Sequence, residues 1–107
     1  MSTYAVIWSD ENARSFIGKL ELGATSLTLD GTDGTSSPVV RTVRYVDIEL
    51  RSSDERLAGH RAVAVGDRRG ARILIASLDR PGTGLEFADE IAAHRARSQA
   101  PRTTAAQ

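Results

Sequence analysis

The chain has 107 residues, a length that suits one domain with its own hydrophobic core and leaves no room for a second. Lys plus Arg and Asp plus Glu each number 14, and the net charge of +0 gives no long-range attraction to nucleic acid or anionic membranes. There are no cysteines, which excludes disulfides, thiolate metal sites and cysteine nucleophiles. Because the sequence contains no signal peptide and no membrane-spanning apolar run, we expect a cytoplasmic protein.

The first third of the chain has the pattern of antiparallel strands. Residues 4–8 (YAVIW) are β-branched or aromatic and precede a cluster of turn-forming residues, which predicts a strand and a turn. Apolar and polar residues alternate over residues 16–22, as in a strand with one buried face. Residues 23–26 (GATS) can turn the chain and the alternation resumes at 27–29, so a hairpin is predicted here.

The middle of the chain contains a polar loop and an irregular strand. Residues 30–38 (DGTDGTSSP) are all turn formers. Over residues 39–50 the apolar residues move from odd to even positions between Tyr45 and Val46. Because a regular strand buries every second residue and cannot skip one, we expect a bulge or sharp bend there. Residues 52–57 are predicted to form one helical turn, because serines that can cap a helix precede acidic residues.

The last part of the chain predicts a hairpin and a helix. Two strand-like segments flank GDRRG at 66–70, as in a hairpin with a glycine-bearing turn. Thr83 and Glu86 have the spacing of a capping box, so a helix is expected to begin there. Its apolar stripe consists of Leu85, Phe87, Ala88, Ile91 and Ala92. We expect one domain over residues 1–97 and a disordered tail over 98–107, which has no apolar side chain larger than alanine.

Several of these segments resemble pleckstrin-homology-like (PH-like) domains, in particular the small stand-alone proteins of actinobacterial type. The resemblance is carried by Trp8, by GKLEL at 18–22, by YVDI at 45–48 and by the amphipathic helix from Thr83, and it covers roughly residues 4–97. It implies a mainly β (α+β) fold: a two-sheet antiparallel β sandwich or partly open barrel of six or seven strands, capped by one C-terminal α-helix. PH-like domains are mostly binding modules for phosphoinositides, peptides or proteins, and the fold alone does not choose among these ligands.

The phosphoinositide-binding type of PH-like domain usually carries basic residues around the first hairpin of its sheet. The turn that we match to this hairpin, residues 23–26, contains no Lys or Arg. The resemblance therefore predicts that inositol phosphates are not recognised.

The sequence offers few residues for catalysis or metal binding. The two histidines, His60 and His94, are not spaced as metal ligands, and a zinc site without cysteine would need Asp or Glu from other elements. The DGTDG segment at 30–34 resembles the start of a calcium loop, but Arg41 stands where such a loop has its glutamate. There is no G-x-S-x-G turn either. We therefore expect no enzyme activity, no metal and no cofactor.

The most suggestive polar cluster surrounds the second predicted hairpin. The four arginines of this candidate anion patch are Arg61, Arg68, Arg69 and Arg72. Such a patch can hold a phosphate or carboxylate, although arginines at a hairpin tip are commonly only solvated, and Asp67 lies among them.

Three functional hypotheses follow from the sequence. The leading one is a non-catalytic PH-like module that binds an unknown protein or peptide, or a second copy of itself, through a sheet edge, an apolar patch or the groove between the helix and its neighbouring strand. The alternative is peripheral binding of an anionic ligand, a lipid head group or nucleic acid, through the arginine patch. The third hypothesis is a small uncharacterised enzyme.

Overall fold

Antiparallel strands make up most of the computed structural model, which describes residues 2–34, 38–51, 55–66, 70–79 and 83–98. The strands are β1 (Ser2–Ser9), β2 (Ser15–Leu22), β3 (Ser26–Thr32), β4 (Val39–Arg44), β5 (Glu49–Arg51), β6 (Arg56–Leu57), β7 (His60–Gly66) and β8 (Arg72–Ser77), followed by the helix α1 (Thr83–Ser98). Their order in space is β4-β3-β2-β1-β8-β7-β5, and β6 pairs with β7. The sheet curls into a half-barrel. The predicted mainly β fold with one C-terminal helix is confirmed, with 8 strands instead of six or seven.

The concave face of the sheet holds the main core. In β2 the predicted alternation is confirmed, since Phe16, Leu20 and Leu22 are all buried. The Trp8 ring stacks on Phe16 with 4.5 Å between ring centroids, and its indole Nε1 donates a hydrogen bond to the Asp30 carbonyl at 3.0 Å. Trp8 is therefore fully buried with its one polar atom satisfied.

The predicted bend near Tyr45 is confirmed in position, but it is a single 3-10 turn (Tyr45–Asp47) and not a bulge. Tyr45 is fully buried, and its hydroxyl donates to the Gly23 carbonyl at 2.8 Å. Its backbone N–H donates to the Thr25 carbonyl at 3.0 Å and so extends the β3–β4 ladder by one bond. The turn moves the chain from β4 at one end of the sheet to β5 at the other.

The helical turn predicted over residues 52–57 is wrong where the structure can test it. Arg56–Leu57 is the strand β6, while residues 52–54 lie outside the described part of the chain. A two-residue turn joins β6 to β7, with positive φ angles at both Ala58 (50°) and Gly59 (82°), as in a hairpin turn of type I′. Leu57 packs against a small second core of Ile7, Ala62 and Ala76 on the convex face, and this packing favours the strand.

The helix α1 begins at Thr83, as the capping-box spacing predicts, and closes the concave side of the sheet. Phe87 and Ile91 are fully buried against the main core. Ala92 is exposed, although it belongs to the predicted apolar stripe, because it lies on the flank of the helix. Ser98, the first residue of the predicted tail, is the last residue of α1, and residues 99–107 lie outside the described part of the chain.

Candidate functional site

A groove runs between the C-terminal half of α1 and the strand β5. Its volume is about 400 Å³, and it is lined by Glu49, Leu50, Arg51, Ala92 and Arg95. Since β5 is the last strand in the spatial order, it pairs with β7 on one side only. In the described part of the chain its other edge has no strand partner, so the backbone N–H and C=O groups that point away from β7 are not used by a neighbouring strand.

The 3-10 turn and one arginine hold the two walls of the groove together. Arg95 donates from its Nε to the backbone carbonyl of Ile48 at 2.6 Å, and Ile48 is the residue that directly precedes β5. Ile48 is buried in the main core. The position of α1 relative to β5 is therefore fixed by a hydrogen bond between the helix and the chain just before the strand.

The groove combines small apolar surface with a charged rim. Leu50 is half-buried against the main core, and Ala92 leaves space where a larger side chain would fill the groove. Glu49 and Arg51 form an ion pair of 3.0 Å, and their side chains are 59% and 71% exposed. Exposed pairs of this kind contribute about 0–1 kcal/mol, so a ligand can replace the pair at little cost.

A polar network anchors the other flank of α1. The hydroxyl groups of Ser2 and Tyr4 donate hydrogen bonds to the Glu90 carboxylate and hold its pKa below the ordinary value. Burial and this hydrogen bond raise the pKa of Tyr4 to about 12. Burial also raises the pKa of Tyr45 to about 12, and the Tyr45 ring stacks on His94 with 4.7 Å between centroids. These side chains keep α1 in place while the opposite flank, with Ala92, stays accessible.

The structure separates the described members of the predicted anion patch. Arg61 lies near the start of β7 and pairs with Arg56 of β6, whereas Arg72 pairs with Gly66 at the other end of β7. Arg72 also contacts the Glu55 carboxylate at 3.3 Å, which offsets its charge. Residues 67–69, which include Arg68 and Arg69, lie outside the described part of the chain, so their role stays a prediction.

The first hairpin of the sheet is also not where we matched it. The turn at residues 23–26 joins β2 to β3, and the first hairpin is β1–β2, whose connection spans residues 10–14. That connection contains Arg14, which pairs with Asp33 at 2.8 Å and lies over the Phe16 ring. Residues 23–26 are therefore the second hairpin turn of the sheet, and Arg14, the basic residue of the first one, is already ion-paired.

The described residues contain neither a clustered set of metal ligands nor a helix suited to a bilayer. Among them, no three His, Cys, Asp or Glu side chains are placed to hold a metal ion. None of the described helical structure has the length and apolar character needed to cross a bilayer. The sequence could not name the lining of the groove, because the residues on its two walls are far apart in the chain.

Comparison with known proteins supports the fold. No family model and no curated protein matches the sequence. A solved structure of Vav1 inhibited by an allosteric inhibitor is similar, with a TM-score of 0.74 and 9% identity over 96% of this chain and 28% of that chain. The C-terminal domain of an unknown protein from Leishmania infantum has a TM-score of 0.69 and 13% identity, over 89% of this chain and 82% of that chain. Vav1 contains a PH domain, so the likeness fits a PH-like fold.

Proposed function

We propose that this chain is a non-catalytic PH-like interaction module that binds an extended segment of a protein partner in the groove between β5 and α1. The observation that supports this function is the open edge of β5 along the groove. A bound segment would add to the sheet as a further strand, with main-chain hydrogen bonds to β5 supplying affinity.

The side chains of the groove suggest what such a segment contains. Because side chains alternate along a strand, every second residue of the segment would face Leu50 and Ala92, and small or medium apolar residues fit there. Glu49, Arg51 and Arg95 carry both signs of charge at the rim, so residues of mixed charge would complement them. In this proposal the module carries out no reaction, and its partner is a cytoplasmic protein.

A selection experiment on groove variants tests this function. A displayed library of random linear peptides is selected on the parent chain, and the enriched peptides are measured on Ala92→Trp and Ala93→Trp by fluorescence polarisation. Both alanines are exposed on α1, but only Ala92 lines the groove. We expect Ala92→Trp to fill the groove and weaken binding at least about ten-fold, which is about 1.4 kcal/mol.

The Ala93→Trp variant is the matched control, and it should bind the peptides as the parent does. Circular dichroism of both variants checks that the fold is intact. A selection that enriches no peptide would refute the proposed function, and so would peptides that bind Ala92→Trp and the parent equally.

A further inference from the structure

The strand β4 (Val39–Arg44) forms the other edge of the sheet, far in the strand order from the groove. The bond from the Tyr45 N–H to the Thr25 carbonyl fixes which backbone groups of β4 point toward β3. Hydrogen-bonded pairs recur at every second residue of an antiparallel ladder, so Leu27–Val43 is the next such pair after Thr25–Tyr45. The backbone groups of Val40, Thr42 and Arg44 therefore point away from the sheet.

The protection that natural edge strands usually have is weak along β4. Edges are commonly shielded by charged side chains, proline or a bulge, and β4 contains neither proline nor lysine. Arg41 does not guard the edge, since its guanidinium reaches Glu11 at 3.0 Å. Val40 is 62% exposed, the largest exposure among the large apolar side chains of the described chain. Only Arg44, at one end of the strand, brings an exposed charge to the edge.

The arrangement of side chains along β4 suits pairing with an identical strand in one register. In an antiparallel pair centred on Thr42, Thr42 faces Thr42 of the second copy, and Val40 faces Arg44 on both sides, so all three outward-pointing residues form hydrogen-bonded pairs. A pair centred on Arg41 would place two arginines directly opposite each other, which is destabilising, and would use fewer outward groups.

Charge complementarity on the convex face favours the same register. Val40 pairs with Asp30 of β3, and Asp30 pairs with Lys19 of β2, so these three side chains lie in one row. Pairing centred on Thr42 adds Arg44 of the second copy to this row, next to Val40. The aliphatic part of this Arg44 would cover the Val40 side chain. The Cα atoms of this Arg44 and Asp30 would lie two strand spacings apart, about 10 Å.

We infer that this chain self-associates through β4, with two copies related by a two-fold axis at Thr42 and the sheet continued from one copy into the other. The interface is narrow, so the dimer is weak and depends on concentration. It leaves both grooves between β5 and α1 open. The inference is independent of the function proposed for the groove, and either one can fail without the other.

Sedimentation velocity over a range from micromolar to about 1 mM chain tests the inference. We expect the weight-average mass of the parent to rise toward that of a dimer. Val40→Lys places two lysine–arginine oppositions in the dimer and should raise its Kd about ten-fold or more. The matched control is Ile17→Lys, at an exposed apolar residue on the convex face of β2 (57% exposed), and it should leave the Kd unchanged.

Cysteine cross-linking tests the register, and the absence of native cysteines makes it clean. In a hydrogen-bonded pair the two Thr42 Cα atoms would lie about 5.5 Å apart, within the range of a disulfide. The Thr42→Cys variant should oxidise to a covalent dimer much faster than Thr32→Cys, at an exposed position on β3. A parent that stays monomeric throughout, equal effects of the two lysine variants, or equal rates of cross-linking would overturn the inference.

Discussion

The pair of glycines below Trp8 gives the sharpest test of the fold. Gly18 and Gly31 face each other across β2 and β3. A Cβ atom at Gly18 would overlap the Asp30 carbonyl oxygen and lie 2.5 Å from the Cα of Gly31. Both neighbours are backbone atoms that cannot rotate away, so Gly18→Ala forces the two strands apart where the Asp30 carbonyl accepts the Trp8 hydrogen bond.

The expected cost of Gly18→Ala is about 3 kcal/mol in the free energy of unfolding, the upper part of the range for overpacking. Gly66→Ala is the matched control, because its Cβ would meet nothing closer than 3.7 Å and its φ is not in the left-handed region. At a compatible site alanine restricts the unfolded chain and stabilises the protein by about 0.4–1 kcal/mol.

Urea unfolding followed by tryptophan fluorescence measures the stability of both variants. The single tryptophan of the chain, Trp8, reports on the site of the change because it bonds to the Asp30 carbonyl. A difference of about 3.4–4 kcal/mol between the two variants should shift the midpoint by more than about 1 M urea, given slopes of about 1–3 kcal/mol/M. Equal midpoints for Gly18→Ala and Gly66→Ala would refute the close approach of β2 and β3.

Three other predictions follow from the structure. Ile91→Asp should lower the free energy of unfolding by more than about 3 kcal/mol, since it removes a fully buried apolar side chain and buries a carboxylate. Urea unfolding measures this loss beside the control Ala93→Asp, which changes an exposed residue of α1. Equal stabilities of the two variants would mean that another face of α1 is buried. Because the pKa of Glu90 is lowered in the folded protein, the stability that Glu90 contributes is fully present above the ordinary pKa of 4.5 and is lost as the pH falls through the pKa of the folded state. Tyr4→Phe should make this loss of stability at acid pH smaller in thermal melts. An unchanged dependence of stability on pH would contradict the hydrogen-bond network. Vesicles containing phosphoinositides should not retain the chain in a flotation assay at physiological ionic strength, where electrostatic attraction between the protein and the membrane is screened beyond about 8 Å. If the vesicles do retain the chain and still retain it after Arg68, Arg69 and Arg72 are changed to glutamate, a lipid site lies elsewhere.

The elements that depend on local sequence were predictable. The alternation over 16–22 and the turn at 23–26 identify the β2–β3 hairpin, because the partners lie close in sequence. The change of phase at Tyr45 identifies the bend but not its 3-10 form, which depends on the burial of Tyr45 against distant residues. The local sequence does not indicate the strand β6 for a similar reason: Leu57 packs against the small core of Ile7, Ala62 and Ala76, and this tertiary packing outweighs the local helical signal.

The candidate site was less predictable than the fold. A groove beside the helix follows from the resemblance to PH-like domains, but its residues depend on which strands end up at the edges of the sheet. That outcome is set by the pairing of β1 with β8, at opposite ends of the domain sequence. The arginine patch stays a prediction, but closeness in sequence does not keep Arg61 beside Arg72, since their backbones lie at opposite ends of the β7–β8 hairpin.

The pairing of β1 with β8 also has a consequence for how the chain folds. The pairings β1–β2, β2–β3 and β3–β4 all join sequence neighbours, so these strands can form a meander early, by local and fast contacts. The second half of β1, from Val6 to Ser9, waits for residues 74–77 to complete its other edge. Closing a loop of this length is slow, so the step that joins the two halves of the sheet is expected to limit the folding rate. During synthesis the edge of β1 stays unpaired until nearly the whole domain has left the ribosome, which makes it the place where a chaperone or a misfolded neighbour can pair first.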